Sequence, residues 1–104
     1  MIQAVLTYDL VPNADQPAYL AWAKNAIGLV MQQPGLIEFR AHRNLLGAPL
    51  FRVTVEWQSM ADLEKFSLGA WQPVEAELRT MATGLKWEYW TTSPVVPEPL
   101  RPGK

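Results

Sequence analysis

Few side chains in this sequence could do chemistry, and most of those are aromatic. Tyr19, Trp22, Trp57, Phe66 and Trp71 recur at spacings that aim them at one interior. Flat rings around an apolar space can hold an aromatic ligand, and they can equally fill a small core, where aromatics dominate by area. Five tryptophans in 104 residues, with Trp71 beside the breakers Gly69 and Pro73, favour a pocket, because an interrupted helix lets a cleft open. His42 is the single histidine. No second His or Asp stands at metal-ligand spacing from it, so no metal site is expected, and its strand position suits an interface. General-base work remains open to an imidazole. Glu38, Arg40, Arg52 and Glu56 fall on neighbouring strands and read as cross-strand or cross-subunit ion pairs rather than catalysts. Glu75, Glu77 and Arg79 read as a solvated helix face. Nucleotide binding and serine hydrolysis have no support, since neither a Gly-rich phosphate loop nor a Gly-x-Ser-x-Gly elbow occurs.

The elements that must position these residues follow from periodicity. Residues 2–11 alternate, with Ile2, Ala4, Leu6 and Tyr8 on one face and Gln3, Val5, Thr7 and Asp9 on the other. Asn13 or Asp15 can then cap a helix whose first turn takes Pro17. Tyr19, Trp22, Ala23, Ala26, Ile27, Val30 and Met31 form its apolar stripe, and Pro34-Gly35 ends it. Residues 36–43 alternate with Ile37, Phe39 and Ala41 inward, and Leu36, Glu38, Arg40 and His42 outward. A Gly47-containing turn leads to residues 50–57, where Phe51, Val53, Val55 and Trp57 oppose Leu50, Arg52, Thr54 and Glu56. Ser59 caps a second helix, with Leu63, Phe66 and Ala70 inward. Pro73 kinks that helix; Val74, Leu78 and Met81 continue its inner face until Thr83-Gly84 stops it. Residues 85–92 form a last strand, with Leu85, Trp87 and Tyr89 alternating against Lys86, Glu88 and Trp90.

The order βαββαβ predicts an α+β fold of the ferredoxin-like kind, a four-stranded antiparallel sheet with helices on one face. Residues 1–93 make the domain, and 94–104, rich in proline, make an extended tail. The face away from the helices mixes Trp90 with Arg40, His42, Arg52 and Glu56, a pattern suited to a homodimer interface.

Composition narrows the function classes. Net charge is −1, so there is no footprint for nucleic acid or an anionic membrane. The chain has no cysteine, which removes disulfides, thiolate metal sites and a cysteine nucleophile, and fits a reducing compartment. The start MIQAVLTYDL lacks a basic region and carries Asp9, so neither a signal peptide nor a membrane span is expected, and the expectation is a cytoplasmic protein.

Two stretches carry a resemblance. Pro34-Gly35-Leu36 stands where the first helix meets the second strand, and Val55-Glu56-Trp57-Gln58-Ser59, followed by Asp62-Leu63, stands where the third strand turns into the second helix. In both, and in element order over 2–92, the sequence resembles the dimeric α+β barrel superfamily and its antibiotic biosynthesis monooxygenase group. The resemblance implies a homodimer and a sheet–helix cleft holding a small apolar or aromatic ligand. It implies a cofactor-independent monooxygenase acting on an aromatic or polyketide-like substrate, with no cofactor; a non-catalytic dimer that only binds a ligand, or serves a stress response, is the second reading. Thr7, at the strand position where relatives that degrade haem carry asparagine, joins Tyr19, Trp22, Trp57, Phe66 and Trp71 as the expected cleft lining. Many relatives have a histidine where this chain has Phe66. Haem ligation is therefore not expected, and no general base is assigned.

Overall fold

A computed structural model describes residues 1–103; Lys104, the last residue of the expected tail, lies outside the described residues. The elements are β1 (Ile2–Leu10), α1 (Gln16–Met31), β2 (Leu36–Arg43), β3 (Phe51–Trp57), α2 (Met60–Leu68), α3 (Trp71–Leu78) and β4 (Ala82–Thr91). The strands form one sheet in the order β2-β3-β1-β4, every neighbouring pair antiparallel, as in a ferredoxin-like fold. Residues 92–103 follow without helix or strand.

Local chemistry explains the turns. The Asp15 carboxylate accepts from the Ala18 N–H at 3.1 Å and caps α1, with Pro17 in the first turn, where a missing N–H costs nothing. Gly35 leaves α1 with φ +84°, and a Cβ there would fall on the Asp62 carboxylate. Asp62 is held in turn by the α2 cap, its N–H donating to Ser59 Oγ at 3.2 Å and the Ser59 hydroxyl donating back to its carboxylate at 2.9 Å. The Gln58 N–H also donates to the Gly35 carbonyl at 2.8 Å. The Pro34-Gly35 turn and the Trp57-to-Ser59 corner are thus one joint, which locks the entry of β2 to the exit of β3.

Three details differ from the periodic reading. Leu36 pairs with Trp57 and Glu38 with Glu56, so a bulge at Ile37 turns Leu36 into the core and leaves Ile37 half exposed. The kinked second helix is two helices. α2 ends at Leu68, and α3 starts at Trp71 with Pro73 in its first turn, where no intrahelical donor is needed. Thr83-Gly84 does not stop a helix. α3 ends at Leu78, β4 begins at Ala82, and Gly84, with φ +68°, sits in a bulge opposite Tyr8.

The core lies between the sheet and the three helices. Ala4, Leu6 and Tyr8 of β1 and Val55 and Trp57 of β3 meet Tyr19, Trp22, Ala26 and Val30 of α1, Leu63 and Phe66 of α2, and Trp71 and Leu78 of α3. The other face is built of three cross-strand rows. His42, Arg52, Thr7 and Lys86 form one, Arg40, Thr54, Val5 and Glu88 the middle, and Glu38, Glu56, Gln3 and Trp90 the third. No described helix is long and apolar enough to cross a membrane.

Candidate functional site

A cavity of about 230 Å³ opens between α1 and the sheet. Its wall is almost wholly apolar, from Leu6 and Tyr8 on β1, Phe39 on β2, Phe51, Val53 and Val55 on β3, α1 from Tyr19 to Val30, and Phe66, Trp71 and Trp87. Four of the expected cleft residues, Tyr19, Trp22, Phe66 and Trp71, meet there.

Two do not. Trp57 is fully buried and absent from the cavity wall; it packs against Phe66 with ring centroids 5.1 Å apart and supports the wall from behind. Its position at the β3 exit, sealed by the Pro34-Gly35 joint, leaves no open side, and its indole N–H has no hydrogen-bond partner among the described residues. Thr7 points to the opposite face. It is the odd member of the β1 alternation, level with Arg52 and Lys86, and lines a shallow polar depression with Gln3, Arg52, Glu88 and Trp90. Arg40, His42, Arg52, Glu56 and Trp90 all share that face, in the three rows described above, and His42 and Arg52 also border the cavity. Arg40 is tied to Glu38 at 2.9 Å, whose hydrogen bond and charge hold the Glu38 carboxyl below its ordinary range.

Two polar features of the cavity region were not singled out in the sequence. The first is a phenol pair, with Tyr8 Oη 2.6 Å from Tyr19 Oη. Burial pushes the Tyr8 hydroxyl far above the ordinary phenol value, and its bond to Tyr19 adds to this. Burial also raises Tyr19, which the bond to Tyr8 partly offsets. Both therefore stay neutral. The only signal for the pair was that Tyr8 and Tyr19 each lie on an inward stripe of facing elements.

The second is Glu75, expected on a solvated face but half-buried behind the wall. Its Oε1 accepts from the indole N–H of Trp71 at 3.0 Å and of Trp87 at 2.8 Å, while Oε2 accepts from Arg79 at 3.2 Å. Burial raises its pKa, but the bonds from Trp87, Trp71 and Arg79, with the Arg79 charge, prevail and leave it below the ordinary carboxyl value. One carboxylate thus sets two wall rings nearly perpendicular, 5.7 Å apart at 85°. The i, i+4 spacing of Trp71 and Glu75 was the legible hint; the long-range partner Trp87 was not. Trp22 adds a further tie, its N–H donating to the Val74 carbonyl at 2.9 Å and pinning α1 to α3.

No group of three or more His, Asp or Glu side chains able to hold a metal occurs among the described residues. The site is chemically an apolar aromatic chamber with a neutral phenol pair in its wall, on a ferredoxin-like α+β scaffold. Residues 1–68 match the family of antibiotic biosynthesis monooxygenases, and the chain belongs to that family. Solved structures share the whole fold. SnoaB, a cofactor-independent oxygenase from Streptomyces nogalater, crystallised as a mutant, is 13% identical with TM-score 0.75, over 93% of this chain and 97% of its own. A putative antibiotic biosynthesis monooxygenase from Deinococcus radiodurans is 14% identical with TM-score 0.70 over 100% of both chains. A Dabb family protein with a ferredoxin-like fold from Mesorhizobium loti is 11% identical with TM-score 0.72, over 88% of this chain and 96% of its own. No curated protein matches.

Proposed function

We propose that the chain is a cofactor-independent monooxygenase of small aromatic substrates, working in the cavity between α1 and the sheet. The observation that carries this is the cavity itself, an aromatic chamber with hardly any polar wall. Family membership supports it, as does a fold shared with SnoaB. At about 230 Å³ the chamber is smaller than the roughly 300–1,000 Å³ usual for drug-sized ligands, which favours one or two rings over a larger polyketide.

The chemistry asks little of the protein. A methylene activated by aryl and carbonyl neighbours loses a proton, and the carbanion passes one electron to dioxygen. The radical pair joins as a peroxide anion. The second C–H proton then leaves with the outer oxygen as the O–O bond breaks, giving a carbonyl and hydroxide, and the hydroxide takes up the first proton. In sum, one methylene and one dioxygen become one carbonyl and one water. The chamber holds the ring in one orientation and excludes water from the carbanion. Oxygen consumption over a panel of one- and two-ring aryl ketones that carry such a methylene, 2-tetralone among them, tests this: turnover lost on filling the chamber by Ala26→Phe supports it, and no turnover with any member defeats it.

One observation favours the second reading, a protein that binds such a ligand without turning it over. The two hydroxyls of the chamber wall belong to neutral phenols, which give hydrogen bonds more readily than they take protons. Tryptophan quenching without oxygen uptake would mark that outcome.

The working unit we propose is a homodimer through the open sheet face. That face is charge-segregated: Arg52 and Lys86 lie in one outer row, Glu38 and Glu56 in the other. A two-fold axis through the middle row would lay each basic row on its partner's acidic row and cover Trp90, 55% exposed in the single chain. Residues 1–93 suffice for the site in this proposal, since no described residue beyond Trp87 lines the chamber.

A further inference from the structure

We infer that the Tyr8–Tyr19 pair is a ligand-binding group, a single fixed donor that selects ring compounds bearing a carbonyl oxygen. This rests on the chamber being the site of the carbonyl-bearing substrate proposed above, and adds which residues hold that oxygen.

The count of protons carries the inference. Two phenol hydroxyls bring two hydrogens. The 2.6 Å bond uses one. The other has no protein acceptor among the described residues, although Tyr8 is 3% and Tyr19 8% exposed and both line the chamber. A buried hydroxyl proton without an acceptor is costly, so a ligand that displaces solvent from the chamber is favoured if it brings an acceptor and penalised if it brings none. The donor is also fixed in place. Phe51 packs against both tyrosine rings at 5.5 Å, and Trp22 stacks on Tyr19 at 5.8 Å. A hydroxyl that already accepts a bond is polarised and gives a stronger one.

The remaining wall sets the class. It offers no anion to match an ammonium, and one donor is too few for a dry carboxylate. Arg52 and His42 also border the cavity, but both belong to the cross-strand row on the opposite sheet face. A neutral cyclic ketone or quinone needs one donor and an apolar chamber, which is what this cavity provides. Raised hydroxyl pKa values keep the donor protonated.

The test compares two bicyclic probes of one shape, 1-tetralone and its hydrocarbon tetralin, by quenching of tryptophan fluorescence. In the double variant Tyr8→Phe, Tyr19→Phe the ketone should lose about tenfold in affinity while tetralin binds as well as before or better. Infrared spectra of tetralone bound to the unaltered protein give a second reading that needs no variant: the carbonyl stretch should lie below its value in an alkane solvent. Parallel losses for both probes, no loss for either, no binding of either to the unaltered protein, or an unshifted carbonyl stretch would overturn the inference. Binding is read without turnover, so a protein that consumes no oxygen yet separates ketone from hydrocarbon defeats the oxygenase reading alone.

Discussion

Trp57 packs its indole on Phe66 at 5.1 Å, and of the two only Phe66 reaches the chamber. The residues that build the wall and those that brace it are therefore separable. Trp57→Ala removes a fully buried ring from a closed corner and should cost about 3–5 kcal/mol of stability. Trp71→Ala removes a ring that borders the chamber on one side, so it should cost less and weaken ligand binding more. Guanidinium midpoints and fluorescence titrations of both variants check this. Equal destabilisation with unchanged binding in Trp71→Ala would make the aromatic set plain core.

Glu75 should behave as a positioning residue for Trp71 and Trp87. Glu75→Leu strands two indole N–H groups and should cost about 1–2 kcal/mol, with weaker binding. Glu75→Gln keeps an oxygen for both indoles and should restore binding while losing the Arg79 ion pair. Because the folded pKa lies below the unfolded value of 4.5, the carboxylate's contribution is complete above that value and lost as pH falls through the folded one. Stability curves against pH should fall less steeply in acid for Glu75→Gln; identical curves would count against the clamp.

The phenol pair predicts an alkaline effect. Tyr8 and Tyr19 are two of three tyrosines, and burial raises both above the ordinary value near 10. A folded pKa raised above the unfolded one gives stability that is present below the unfolded value and lost as pH rises beyond it. Absorbance at the phenolate band should therefore show two phenols that ionise on unfolding but not in the folded chain just above pH 10. Ionisation of all three in the folded protein would contradict the buried pair.

Much of this was legible in sequence because periodicity reports faces. The alternation of Ala4, Leu6 and Tyr8 against Val5 and Thr7, and the stripe through Tyr19, Trp22, Ala26 and Val30, place the sheet and α1 correctly. Periodicity fails where one residue is added, as at Ile37, because a bulge inverts every residue on one side of it. It also counts Glu75 as a surface charge, since the partner that draws it inward, Trp87, is twelve residues away on another element. Thr7 is excluded from the chamber by its parity alone, since the period-two alternation puts it on the face of Gln3 and Val5, whatever residue relatives carry there.

Charge segregation on the open sheet face makes the proposed dimer testable. Arg52→Glu puts an acid in the basic row of both copies, so sedimentation should shift towards a monomer near 11.7 kDa, and high salt should weaken the unaltered dimer. A protein that is monomeric at micromolar concentration before any substitution would contradict the proposed interface.

The most direct measurement is a crystal structure of the protein soaked with 1-tetralone. The expected result is the bicyclic ring in the chamber between α1 and the sheet, walled by Trp22, Phe66 and Trp71, with its oxygen within hydrogen-bonding distance of Tyr8 or Tyr19. Density on the open sheet face beside Thr7 and Trp90, or an empty chamber at saturating ketone, would contradict it.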